Sequence, residues 1–108
     1  MTDYIQVLTT TESRDVAETI GRALVDQRLA ACVQIVGPIT SIYRWQDKIN
    51  TAQEWQCWAK TRRDLYDRIE ETIRRLHPYQ VPEILAIPVT AGSADYLAWL
   101  ADETKNDK

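Results

Sequence analysis

Two prolines in the run His77-Pro78-Tyr79-Gln80-Val81-Pro82-Glu83-Ile84 set the strongest constraint on how this chain can fold. Each fixes its own φ and drives the residue before it out of the helical region. Any helix arriving from the N-terminal side must therefore stop here. His77 and Val81 are held extended, and Tyr79 is displayed between two stiff points at low entropic cost. A His in the last turn followed by Pro is also a common helix terminator, so the run serves as a stop whatever else it does. It carries the only histidine of the chain.

Apolar periodicity supplies the elements on either side. Tyr4 to Leu8 is a short β-type run, and Thr9 to Ser13 supplies N-cap chemistry, with Ser13 or Thr11 as the cap and Asp15 in the first turn. Val16, Ile20, Ala23 and Leu24 then recur at helical spacing to about Gln27. Gly21 inside that helix costs up to ~1 kcal/mol against Ala, which points to close packing there. Ala30 to Tyr43 is rich in β-branched residues and is interrupted once, at Gly37-Pro38. That break predicts a bulge or bend in one long strand rather than a turn between two. Residues 46–51 form the polar return. A second strand spans Gln53 to Thr61, with Trp55, Cys57 and Ala59 on one face and Glu54, Gln56, Trp58 and Lys60 on the other. Trp58 on that polar face needs a cover, from the hairpin's own twist or from another subunit.

Asp64 is the expected cap of a second helix whose stripe is Leu65, Ile69, Thr72, Ile73 and Leu76. Its remaining surface alternates Arg with Asp and Glu, a solvated and ion-paired face. Ile84 to Ile87 reads as an apolar strand reaching Pro88, and Pro88 belongs at an edge, a bulge or the strand's end. Gly92-Ser93 opens a last helix with Tyr96, Leu97 and Leu100 packing, and residues 103–108 read as a frayed polar tail. The order βαββαβ plus a helix is the α+β, ferredoxin-like split βαβ arrangement. It predicts two helices on one face of a four-stranded antiparallel sheet, in one domain over residues 1–108.

Composition narrows the function classes. A chain of 108 residues with net charge −3 and no basic block is a poor partner for nucleic acid. No apolar run approaches the ~20 residues needed to span a bilayer. Met1-Thr2-Asp3-Tyr4 lacks a basic, then apolar leader, so cytoplasm is the expected compartment and no membrane partner is expected. Cys32 and Cys57 sit in apolar stretches and read as small buried hydrophobes in a reducing environment. One histidine without flagged serine and acid partners builds no triad, and three scattered glycines make no phosphate cradle. Two cysteines cannot ligate an iron–sulfur cluster, and the fourth strand lacks the stacking aromatics of an RNA-binding sheet. No enzyme and no organic cofactor is indicated.

Five stretches together resemble the CutA divalent-cation-tolerance family: Leu29-Ala30-Ala31-Cys32, Tyr43-Arg44-Trp45-Gln46-Asp47-Lys48-Ile49, Ala59-Lys60-Thr61, the His77–Ile84 run, and Asp95-Tyr96-Leu97-Ala98-Trp99-Leu100. Their order and spacing match over nearly the whole chain. The resemblance implies a homotrimer of ferredoxin-like subunits and a link to tolerance of copper and other divalent metal ions. His77 matches the family's histidine before Pro-Tyr and is the first metal-ligand candidate, since imidazole suits copper and zinc. Glu83 and Cys32 are the secondary candidates. Members proposed to bind copper also carry a cysteine in the first strand and a second histidine, where this chain has Thr9 and Leu76. Members usually have Gly before the hairpin lysine, where this chain has Asp47. The likeness of the trimer to PII-type signal transducers suggests a different function, as a signalling or scaffold trimer. Such a trimer would bind a small anionic effector or a protein partner between subunits. Trp45, Lys48, Glu54, Lys60 and Tyr79 are the residues placed in that cleft.

Mid-strand burial suppresses thiolate formation, so Cys32 and Cys57 are expected to be reduced and unbridged. Alkylation in denaturant without prior reduction, followed by mass spectrometry, should add two labels per chain. A mass two hydrogens light, with no label taken up, would contradict this.

Overall fold

The computed structural model describes residues 3–105. The elements run β1 (Tyr4–Thr11), α1 (Arg14–Asp26), β2 (Cys32–Trp45), β3 (Lys48–Arg62), a 3-10 turn at Arg63–Leu65, α2 (Tyr66–Leu76), β4 (Ile84–Pro88) and α3 (Ala94–Glu103). The strands lie in the order β2-β3-β1-β4, with every neighbouring pair antiparallel. This is the split βαβ sheet that the sequence predicts, and Pro88 closes the edge strand β4.

The core lies between one face of the sheet and the two helices. Ile5, Val7, Cys57 and Ala59 meet Ala17, Ile20 and Leu24 of α1 and Ile69 and Ile73 of α2. Removing these side chains from water is the main stabilising term, at roughly 25 cal/mol per Å² of apolar surface. Cys57 donates weakly to the Ala17 carbonyl at 3.8 Å, and burial pushes its thiol up to about 12. Both cysteines are free. A Cβ on Gly21 would meet Val33 Cγ1 at 2.9 Å, so the expected close approach is that of α1 to β2.

Several boundaries differ from the sequence reading, each for a local reason. β1 continues through Thr9, Thr10 and Thr11 instead of ending at Leu8. Threonine is β-branched and suits a strand. Only Ser13 caps α1, its Oγ accepting from the Val16 N–H at 3.1 Å, while Thr11 Oγ1 donates to the Ser13 carbonyl at 2.7 Å. Asp64 does not cap α2. Its carboxylate pairs with Arg62 at 2.9 Å, and the chain enters α2 through the 3-10 turn without a side-chain cap.

The return between β2 and β3 is only two residues long, because Trp45 pairs with Lys48. Gln46 and Asp47 both have positive φ, 52° and 65°. That is the geometry of a primed turn, whose twist matches the flanking strands. Residues 48–51 thus belong to β3, and the polar character of Asn50 and Thr51 reflects a hairpin arm running beyond the core. The break at Gly37-Pro38, a cis peptide, is the predicted bulge, with the register shifting between Val36 and Ile39. The arm makes the molecule elongated, 45 × 28 × 22 Å, with a radius of gyration of 14.5 Å. A compact chain of this length would have about 13 Å.

Part of the expected C-terminal tail is built into the fold. Glu103 ends α3, and Thr104 is buried. Arg62 holds Thr104 with two bonds, Nε to its Oγ1 at 2.9 Å and an NH2 nitrogen to its carbonyl at 3.0 Å. The next residue, Arg63, donates its N–H to the Asp3 carbonyl at 2.8 Å. Residues 106–108 lie outside the described residues.

Two substitutions test the hairpin. A Cβ on Gly37 would lie 2.5 Å from Trp55 Cδ1 and 3.1 Å from Trp55 Cα, so Gly37→Ala should cost about 1–3 kcal/mol in denaturant unfolding. Asp47→Gly relieves the left-handed backbone and should raise stability by up to about 1 kcal/mol. A destabilised Asp47→Gly would show that the aspartate side chain is needed at the turn.

Candidate functional site

The His-Pro loop lies against the end of β1 and faces the base of the hairpin arm. His77 is the C-cap of α2, with its backbone already extended as Pro78 requires. Its ring is buried, 8 % exposed. Nε2 sits 2.7 Å from the Thr10 carbonyl, which can only accept, so Nε2 carries the proton and donates. Nδ1 accepts the Tyr79 N–H at 3.1 Å. Both nitrogens are thereby engaged with backbone. The imidazole and Tyr79 rings are 4.6 Å apart at a tilt of 55°.

So positioned, Tyr79 projects its hydroxyl onto β3, donating to Glu54 Oε2 at 2.6 Å. Burial, and then the Glu54 carboxylate it bonds, pushes the Tyr79 phenol well above its usual value of 10.0. Glu54 is itself buried, 7 % exposed. Beyond Pro82, Glu83 accepts a long bond from Thr10 Oγ1 at 3.4 Å.

A groove of about 630 Å³ separates the arm from the loop. Ser41, Tyr43 and Trp45 line it from β2, Glu54 from β3, and Tyr79 and Glu83 from the loop side. The structure thus brings together Trp45, Glu54 and Tyr79 of the predicted cleft, with Glu83 of the predicted metal set. It leaves out the rest. Lys48 sits at the arm's tip opposite Trp45, and Lys60 lies 5.8 Å from the centre of the Tyr96 ring. Cys32 pairs with Lys60 whereas Thr10 pairs with Gln56, a separation along β3 of roughly 13 Å at strand rise. Among the described residues no three His, Cys, Asp or Glu side chains gather as a metal-ligand cluster. Within one subunit no Lys or Arg among the described residues lines the groove, and its carboxylates are Glu54 and Glu83. Sequence reasoning missed Thr10, because β1 was ended too early. It missed Tyr43 although that residue shares strand parity with Trp45.

A profile of the family described as CutA1 divalent ion tolerance protein matches residues 5–103. The divalent-cation tolerance protein CutA of Thermus thermophilus is 48% identical over 98 residues, covering 91% of this chain and 95% of that protein. Its solved structure superposes with a TM-score of 0.92, over 94% of this chain and 99% of the other. The chloroplastic protein CutA of Arabidopsis thaliana is 38% identical over 94% of this chain, which spans only 56% of the plant protein's length. A solved CutA of Archaeoglobus fulgidus, described as a periplasmic divalent cation tolerance protein, is 32% identical with a TM-score of 0.92, over 94% of this chain and 99% of that one.

The bond between Tyr79 and Glu54 has a readable pH signature. With its pKa raised in the fold, Tyr79 contributes stability that is complete below its unfolded value near 10 and is lost as pH rises toward the folded value. Tyr79→Phe should cost about 1–3 kcal/mol at neutral pH, since it strips a hydrogen bond from a buried carboxylate. The gap between wild type and variant should narrow above pH 10. A gap constant across that range, in urea unfolding at each pH, would show that the bond is not formed in solution.

Proposed function

The chain belongs to the CutA1 divalent ion tolerance protein family, and from that premise we propose that it is a homotrimeric, cytoplasmic binding protein. In this reading it serves the response to divalent metal ions such as copper without catalysing a reaction, and the groove beside the His-Pro loop is its ligand site. The observation that carries this is the convergence of Trp45, Glu54 and Tyr79 on one groove while His77 turns both nitrogens into the backbone. A catalytic imidazole would keep a nitrogen for substrate. This one orients a tyrosine.

Direct copper binding by His77, Cys32 and Glu83 of one subunit does not fit this geometry. His77 would have to break its bond to Thr10 or to the Tyr79 amide, and Cys32 is set apart along the sheet. The coupling to metal would then pass through the groove's occupant, as in an effector-binding trimer of the PII kind.

Trimer formation is supported by what one subunit exposes. Val36, Ile42, Tyr43, Trp45 and Ile49 on the hairpin and Leu85 on β4 are apolar and open, Ile42 to 71% and Ile49 to 69%. Two unlike edges, β2 and β4, are left unpaired in the sheet. Edges of that sort invite pairing with another copy. A head-to-tail contact between unlike edges gives a ring where its rotation closes, and three copies are the ring this reading takes.

Two measurements test the reading. Light scattering at micromolar concentration should return three times the 12.5 kDa chain mass, and a monomer mass would sink the trimer. A thermal-shift panel of copper, zinc and small metabolites should show the larger shift with a metabolite, since ligands of the native state raise its stability by mass action. A large shift with copper alone, abolished by His77→Ala, would restore His77 as a ligand.

A further inference from the structure

We draw no further inference here: the strongest candidate, the pocket of about 720 Å³ between α1 and β2 with Val33 and Ile35 in its wall, opens beside the β2 edge that another copy covers in the proposed trimer, and nothing in the structure shows what fills it.

Discussion

A single buried imidazole holds the working end of this molecule together. His77 joins the Thr10 carbonyl at the end of β1 to the Tyr79 amide inside the loop, using one nitrogen for each. The carbonyl fixes which nitrogen is protonated, so the ring has one tautomer and one orientation. Everything on that side of the groove inherits its position from this bracket. Tyr79 reaches Glu54 because its amide is pinned directly to His77 Nδ1 at 3.1 Å, and Glu83 meets Thr10 because Pro82 directs the chain back toward β1. Without the bracket, two rigid prolines would still stiffen the loop but would not aim it.

Such an arrangement changes what the family's histidine means in this chain. His77 reads from sequence as a ligand candidate because it matches the family's histidine before Pro-Tyr and imidazole suits copper and zinc. In the fold it is spent on backbone, as buried polar groups usually are. The Tyr79 phenol and the Glu54 carboxylate are the groups that this bracket sets facing the groove. Fold alone does not decide which molecule they meet.

The sheet topology was readable because its signals were local and strong: β-branched runs, one interruption at Gly37-Pro38, and a helical stripe ending at a proline. The errors arose where two local rules compete. Thr9 to Thr11 can cap a helix or extend a strand, and burial of Thr9 and Thr11 on the helix-covered face decided for the strand. Asp64 has cap chemistry, but Arg62 two residues earlier claims its carboxylate. The polar residues after Asp47 looked like a loop because an arm that leaves the core no longer alternates cleanly. Of the residues expected in a cleft between subunits, Trp45, Glu54 and Tyr79 line one groove within the subunit, while Lys48 and Lys60 lie elsewhere on it. Strand parity gives a face but not a position along it, and Lys60 lies four residues from Gln56, the partner of Thr10.

The bonds at Arg62 and Arg63 anchor both ends of the described chain to one place. Asp3 is held by the Arg63 amide and Thr104 by the Arg62 guanidinium, at the end of the sheet where Tyr4 pairs with Arg62. The groove begins at the other end of β1, near Thr10, roughly 20 Å away at strand rise. The described chain thus has two poles, one that gathers its ends and one that carries the groove. A shift of Arg62 and Arg63 would therefore loosen both described ends of the chain together while leaving the groove's hydrogen bonds in place.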